Sequence, residues 1–246
     1  MVRESTSLTE EERKLQHEAV LFVRANKKEI IKKFANDKNI PSVKHMVPVF
    51  LAGSPGAGKT EFAKSIIRII EMGHKEKAVH IDADAIRDML PQYDGTNAFL
   101  FQEATSIGVD HLFYYALKHS KNFVLDGTLA NYKIARRNIS NCVGNKLAVL
   151  VVYVYQDPIT AWNFTQLREQ GEGRRISQHA FIEGFLGAKA NVKRLKEEFG
   201  ASMKLNAVTH NYRKEDYTVY DIVKPEDIDM LARVEYSEGE LKKILI

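Results

Sequence analysis

The fold is decided by the stretch Gly53-Ser54-Pro55-Gly56-Ala57-Gly58-Lys59-Thr60, which matches the pattern G-x-x-x-x-G-K-[ST] at every fixed position. Its glycines let the backbone wrap closely around phosphate oxygens, and the amide groups of the loop and of the following helix point at the anion. We expect Lys59 to reach the β- and γ-phosphates and Thr60 to hold Mg²⁺ through its hydroxyl. The stretch therefore predicts that the chain binds ATP together with magnesium.

Strands and helices are predicted to alternate around this loop. The predicted strands are 47–52, 78–81, 122–125 and 147–155, and the predicted helices are 59–72, 97–119 and one that begins near Ser177 within 175–199. This order predicts an α/β fold with a P-loop NTPase-type parallel sheet flanked by helices on both faces. Gly73 is expected to end the helix that follows the loop, and Asp157-Pro158 has the pattern of a helix start.

The chain is predicted to form a single domain, 1–246, with three parts. Residues 1–45 form a helical N-terminal extension, in which Thr9 and Glu12 have the pattern of a capping box and Asn26 interrupts the helical stretch 9–36. Residues 46–200 form the phosphate-binding core. Residues 201–246 are expected to contain strands at 207–212 and 217–223 and a final helix opened by Pro225.

Composition excludes several other classes of protein. The chain has 246 residues, one cysteine and a formal charge of +4, which fits one α/β domain in a reducing compartment. The longest apolar run, Leu147 to Tyr155, is well below the roughly 20 residues that span a bilayer. No signal peptide and no concentrated basic stripe are visible. We therefore expect a cytoplasmic protein that binds neither membrane nor nucleic acid.

Two carboxylates, Asp82 and Asp84, follow the second predicted strand. The carboxyl end of a strand is the ligand-binding edge of an open α/β sheet, and a carboxylate there can take the proton of an acceptor hydroxyl. A helix is expected to begin at Asp84, so the two side chains should have different roles. Asp84 is therefore either a catalytic base or the N-cap of that helix, a position that favours Asp.

The P-loop and this segment together resemble the zeta toxins, which are UDP-N-acetylglucosamine kinases of bacterial toxin–antitoxin systems. The family has a D-x-D pattern, a basic residue and a proline-aromatic-acidic stretch, and the corresponding residues are Asp82, Asp84, Arg87, Pro91, Tyr93 and Asp94. The resemblance implies that Asp84 is the base for the 3′-hydroxyl of the amino sugar. It also implies a small helical antitoxin as partner.

The resemblance extends to residues expected to contact the sugar. Asp126-Gly127-Thr128 corresponds to an acidic-Gly-Thr motif of the family, and Asp110 has the family's spacing of sixteen positions before it. Glu103 lies seven residues before Asp110 on the same helical face, so either of the two can serve. Two simpler interpretations stay open, in which Asp126 is the magnesium-associated acid of P-loop proteins and Asp110 is a solvated helix residue.

Two arginines correspond to the family's lid. Arg168 and Arg175 match in position, and Gly171 and Gly173 would give that segment mobility. Lid arginines stabilise the charge on a phosphoryl group during transfer. The alternative is that Arg174 and Arg175 are surface charges.

The resulting hypothesis is an ATP- and Mg²⁺-dependent kinase of a UDP-sugar. The sequence departs from the family at Asp126, where glutamate is usual, and at positions 90, 130 and 178. These departures concern contacts to the sugar and its diphosphate more than the kinase chemistry. Two alternatives remain: a kinase of another small molecule, such as an antibiotic or a nucleoside, and a nucleotide-dependent switch without an acceptor.

Overall fold

In a computed structural model of the chain, the structure describes residues 8–74, 76–211, 216–231 and 235–245. The described helices are α1 Glu10–Ala25, α2 Lys27–Phe34, α3 Lys59–His74, α4 Ala83–Arg87, α5 Gln102–Lys118, α6 Tyr132–Gly144, α7 Pro158–Glu172, α8 Gln178–Phe199 and α9 Glu238–Ile244. The described strands are β1 Pro48–Ala52, β2 Ala78–Asp82, β3 Asn122–Asp126, β4 Val149–Tyr155, β5 Met203–Asn211 and β6 Asp216–Ile222.

The six strands form one sheet in the order β2-β3-β1-β4-β5-β6. Strands β1 to β5 are parallel, and β6 is antiparallel to β5 at one edge. The predicted parallel sheet is thereby confirmed. Because β1 lies between β3 and β4, the loop after β1 is flanked by the carboxyl ends of both neighbours, which is where open α/β sheets bind their ligands.

Helices cover both faces of the sheet, as the sequence predicts. Side chains alternate between the faces along a strand. In β1, Phe50 and Ala52 join a large cluster with residues of α1, α2, α5, α6 and α8, while Val49 and Leu51 pack in a second cluster with Ala63 of α3. All five residues of β1 are buried, so the phosphate-binding loop begins from the centre of the molecule.

The N-terminal helices form part of the large cluster. The capping box predicted at Thr9 and Glu12 is present, and the predicted break, Asn26, is the C-cap of α1. Val23 of α1 and Ile30 of α2 have no exposed surface. Residues 1–7 of the predicted extension lie outside the described residues.

Some predicted boundaries are wrong. Gly73 does not end α3, which continues to His74, and α6 was not predicted at all. Pro225 opens only a short 3₁₀ segment, Pro225–Leu231, and α9 is a separate helix. Position 212, the predicted last residue of a strand, lies outside the described residues. Among the described helices, none is both long and apolar enough to cross a membrane.

Candidate active site

The loop Gly53–Thr60 connects β1 to α3, in the context that its pattern requires. Gly56 has φ +72°, and a Cβ there would lie 2.1 Å from the carbonyl oxygen of Ala161 in α7. Gly53 has φ +144°, and a Cβ there would lie 2.4 Å from the carbonyl oxygen of Val154. Both positions therefore require glycine, because the loop passes directly against β4 and α7.

Lys59 is folded back on its own loop. Its Nζ donates a hydrogen bond to the Ser54 carbonyl oxygen at 2.6 Å. Burial lowers the pKa of Lys59 to about 8, and Arg168 adds to this shift while the charges of Asp126 and Asp84 oppose it. Lys59 therefore lies within electrostatic reach of three other predicted site residues, in a place where an incoming phosphate would stabilise its ammonium form.

Thr60 and Asp126 form a pair of oxygen donors beside the loop. The Thr60 hydroxyl donates a hydrogen bond to Asp126 Oδ2 at 2.7 Å. Burial opposes ionisation of Asp126, but His80, Lys59 and Thr60 outweigh it and hold the pKa of the carboxyl below its ordinary value. An ionised carboxylate next to the P-loop hydroxyl fits the oxygen chemistry of Mg²⁺.

Asp82 and Asp84 have different environments, and the cap is Asp82. The Asp82 side chain accepts a hydrogen bond from the Asp84 amide at 2.9 Å and is the N-cap of α4. The alternative of Asp84 as the cap is therefore wrong. The Asp84 carboxylate instead accepts hydrogen bonds from Arg87 and, at 2.8 Å, from Arg174.

The two predicted lid arginines lie in different places. Arg168 of α7 is 3.8 Å from Glu61 at the start of α3, next to the phosphate-binding loop. Arg175 is 3.5 Å from Glu169, and its side chain is 59% exposed. The arginine of this segment that reaches Asp84 is Arg174, the neighbour of the predicted Arg175 and one of the two residues for which a surface charge was the open alternative.

The remaining predicted substrate residues do not converge on Asp84. Glu103 is exposed on the first turn of α5. Asp110 forms a 2.6 Å ion pair with Arg137 of α6. Thr128 lies against the phosphate-binding loop, where its carbonyl oxygen accepts a hydrogen bond from the Gly53 amide.

Two cavities lie near predicted site residues, and one of them adjoins the loop. One, of about 350 Å³, lies between α7 and the β5–β6 hairpin and is lined by Gly56, Gly58, Glu61, Phe164, Leu167, Arg168, Gly171, His210 and Tyr217. The other, of about 380 Å³, is an open depression lined by Asp88, Tyr93, Asp94, Gly95 and Arg174, and Arg174 also donates a hydrogen bond to Asp84. The rings of His210 and Tyr217 are 4.6 Å apart between centroids, so an aromatic wall closes part of the first cavity.

Several of these residues carried no usable signal in the sequence. His210 and Tyr217 meet only because β5 and β6 pair in antiparallel register. Arg174 and Arg175 are adjacent, and which of them reaches Asp84 depends on the backbone after Gly173, whose φ is +70°. Cys142 is buried, and burial raises the pKa of its thiol to about 12, which agrees with a structural role.

A P-loop between a buried strand and a helix, on a parallel sheet of this strand order, defines the class of P-loop kinase-like proteins. Within that class, a family model described as zeta toxin matches residues 3–224. The chain therefore belongs to the zeta toxin family, the toxins of toxin–antitoxin systems. Among curated proteins, no sequence gives a significant match to this chain.

Solved structures share the fold at low sequence identity. One is from work on the PezAT chromosomal toxin–antitoxin system of Streptococcus pneumoniae, with TM-score 0.61, 18% identity, and coverage of 97% of this chain and 93% of that chain. A second is AvrRxo1-ORF1:AvrRxo1-ORF2 with sulphate ions, with TM-score 0.58, 12% identity, and coverage of 93% and 75%. A third is the AvrRxo1-ORF1:-ORF2 structure with ATP, with TM-score 0.55, 13% identity, and coverage of 89% and 73%.

Proposed function

We propose that this chain transfers the γ-phosphoryl group of ATP to a hydroxyl of a UDP-amino sugar, with UDP-N-acetylglucosamine and its 3′-hydroxyl as the first candidate. The observation that carries the proposal is the position of Asp84. Its carboxylate does not cap α4, lies within electrostatic reach of Lys59, and accepts a hydrogen bond from Arg174, which lines the open depression. A carboxylate with these properties suits a base that serves an acceptor in that depression.

In the proposed reaction, Asp84 accepts the proton of the acceptor hydroxyl while the hydroxyl oxygen forms a bond to the γ-phosphorus. The bond from that phosphorus to the β–γ bridging oxygen breaks, and ADP leaves. Arg87 and Arg174 orient the carboxylate. Lys59, Arg168 and Arg174 carry the positive charge that stabilises the phosphoryl group during its transfer.

Thr60 and Asp126 are the residues that would hold Mg²⁺, Thr60 directly and Asp126 either directly or through water. When bound, the ion neutralises charge on the β- and γ-phosphate oxygens. This assigns Asp126 to the metal, the first of the two roles that the sequence leaves open. The shorter aspartate suits the assignment, since it already meets the Thr60 hydroxyl at 2.7 Å.

The cavity between α7 and the β5–β6 hairpin is the proposed place of the ATP base. It adjoins Gly56 and Gly58 of the loop and lies on the side away from Asp84. The apolar side chains of Phe164 and Leu167 and the rings of His210 and Tyr217 provide surfaces against which a flat base can pack. Donor and acceptor would then meet above the loop from opposite sides.

A small helical antitoxin is the proposed protein partner. The family consists of toxins, and the solved relative from Streptococcus pneumoniae was described as part of a toxin–antitoxin system. An unregulated kinase that consumes a cell-wall precursor would harm its host, so restraint by a partner fits this activity.

The chemistry of the acceptor depression favours a second candidate acceptor, an amine-bearing antibiotic with several hydroxyl groups. Among the described residues, Asp88 and Asp94 line the depression together with the guanidinium of Arg174. Carboxylates attract an ammonium group and repel a diphosphate. The reaction and the roles of Asp84 and Lys59 would remain the same.

The proposal is tested by incubating the protein with ATP, Mg²⁺ and a panel of acceptors, and by identifying the phosphorylated products by mass spectrometry. The panel contains UDP-N-acetylglucosamine, other UDP-sugars, nucleosides and amine-bearing antibiotics. Asp84→Asn is run in parallel and is expected to lower turnover by about a hundredfold or more. Asp221→Asn, the same substitution on the exposed part of β6, is the matched control and should retain activity.

Each outcome of this panel decides between the candidates. A phosphorylated UDP-sugar that disappears in Asp84→Asn supports the first candidate and the base together. Product from an antibiotic alone moves the assignment to the second candidate. ATP binding without transfer to any acceptor, unchanged by Asp84→Asn, would show a nucleotide-dependent switch and end the kinase proposal.

A further inference from the structure

His80 lies on β2 two residues before Asp82, so the two side chains share one face of the sheet. Asp82 is paired in register with Asp126 of the neighbouring strand β3. His80 Nε2 is 3.6 Å from Asp126 Oδ2, and one ligand atom from each of the three residues lies within 4.8 Å of the others. The fold therefore brings one imidazole and two carboxylates together beside the phosphate-binding loop.

The imidazole nitrogen in this group is unsatisfied. His80 Nε2 is buried and has no hydrogen-bond partner among the described residues. Its 3.6 Å separation from Asp126 is too long for a hydrogen bond. A buried nitrogen without a partner is uncommon and calls for an explanation, such as an ion that it would coordinate.

We propose that His80, Asp82 and Asp126 bind a divalent transition-metal ion, of the class of Zn²⁺, Mn²⁺ or Co²⁺, in the absence of nucleotide. Metal–ligand bonds of about 2.1 Å place neighbouring ligand atoms about 3 to 3.5 Å apart, close to the observed separation of His80 and Asp126. The imidazole determines the class of ion, because nitrogen ligands suit these ions and Mg²⁺ prefers oxygen alone.

The surrounding groups fit this site. One oxygen of Asp82 accepts the amide hydrogen bond of Asp84, which leaves its second oxygen for an ion. The Asp126 side chain is 5% exposed, so its charge is shielded from water. The opposing group is Lys59, whose charge acts on Asp126 and lowers the affinity for a cation.

The inference goes beyond the proposed kinase activity and does not rest on it, since neither ATP nor an acceptor takes part. Asp126, one of the three proposed ligands, also accepts a hydrogen bond from Thr60 of the loop. An ion bound to His80, Asp82 and Asp126 would therefore change the charge beside the loop. A bound transition-metal ion would thus occupy the Asp126 carboxylate, which the kinase proposal assigns to Mg²⁺.

The test is a titration of the full chain, without affinity tag or nucleotide, with Co²⁺ followed by visible absorption. We expect one equivalent of Co²⁺ to bind with a spectrum that indicates nitrogen ligation. Zn²⁺ should displace it, and excess Mg²⁺ should not. His80→Gln and His80→Val should each weaken Co²⁺ binding at least about tenfold. The matched control His17→Gln, on the exposed face of α1, should bind as the wild type does.

Thermal unfolding gives a second readout that does not depend on activity. The change in melting temperature on adding Zn²⁺ is compared within each variant, so a variant that is less stable without metal can still be assessed. Zn²⁺ should raise the melting temperature of the wild type and of His17→Gln, and should not raise that of the His80 variants. Valine suits a strand and glutamine retains polarity, so the two variants stress the fold in different ways. A wild-type spectrum equal to that of aqueous Co²⁺, or equal affinity in wild type and both His80 variants, would overturn the proposal.

Discussion

Asp84 is held by arginines from two distant parts of the chain. Arg87 is one turn further along α4, whereas Arg174 follows α7 and reaches Asp84 and, at 3.4 Å, Asp88. A guanidinium presents several donors in a fixed fork, so Arg174 can exchange a carboxylate for phosphate oxygens without losing its hydrogen bonds. At the scale of single residues, Arg174 is therefore the group best placed to couple Asp84, the proposed base, to the phosphoryl group of the proposed reaction.

Alanine substitutions of the neighbouring Arg174 and Arg175 test whether Arg174 is the arginine that acts with Asp84. Arg174→Ala is expected to lower kcat by about a hundredfold, because the proposed base loses a hydrogen-bond donor and the proposed transfer loses a positive charge. Arg175→Ala should change kcat little, since its side chain is mostly exposed and lies beside Glu169. Steady-state kinetics with the acceptor found by the panel would measure both variants. If Arg175→Ala lowers kcat more than Arg174→Ala does, the role belongs to Arg175, the arginine that the sequence pattern predicts.

At the scale of elements, the sequence predicted best where one local signal was sufficient. The P-loop requires a strand before it and a helix after it, and the valine-rich run of β4 is typical of a buried parallel strand. Helix α6 was missed because its buried positions include Asn138 and Cys142, which weaken the apolar pattern. Its N-cap, Asn131, was the available signal.

The site was predicted less completely than the fold, for a physical reason. The sequence located the phosphate-binding loop and the carboxylates at the strand ends, because these positions follow from the order of the sheet. It selected neither Arg174 nor the aromatic wall formed by His210 and Tyr217, because loop geometry and strand register bring those side chains into place. Local patterns contain little information about such contacts.

Two glycines in helices should respond to alanine with opposite signs. A Cβ at Gly108 of α5 would lie 2.6 Å from Ile86 Cγ2 of α4, the helix that carries Asp84. We expect Gly108→Ala to destabilise the fold by about 1–3 kcal/mol through overpacking, and to lower activity by displacing α4. Gly73→Ala, with no described atom within 4 Å, should stabilise it by about 0.5–1 kcal/mol through helix propensity.

Urea unfolding followed by circular dichroism measures both glycine variants. The pair serves as its own control, because the substitution is identical and only the space around the new methyl group differs. Equal stabilisation by the two alanines would mean that α4 and α5 do not pack as closely as described.

At the scale of the whole molecule, the N-terminal helices are part of the core. Lys121, fully buried before β3, donates a hydrogen bond to the carbonyl oxygen of Ile40 and forms a 2.7 Å ion pair with Asp37. Val23 lies near Gly108, at the junction of α1, α4 and α5. Of the two roles open for the extension, core packing and a part in restraint by an antitoxin, the described contacts favour core packing.

A charge placed on the buried side of α1 tests this conclusion. Val23 has no exposed surface, whereas Leu21 of the same helix is 50% exposed. Val23→Asp is expected to cost at least about 3 kcal/mol of stability, because an unpaired carboxylate would enter the core, and Leu21→Asp should cost less than about 1 kcal/mol. If core packing is the role of the extension, Val23→Asp lowers the melting temperature and ATP turnover together. Higher turnover at an unchanged melting temperature would instead show that the extension restrains the enzyme, since an inhibitory segment can be loosened without unfolding the domain that it covers.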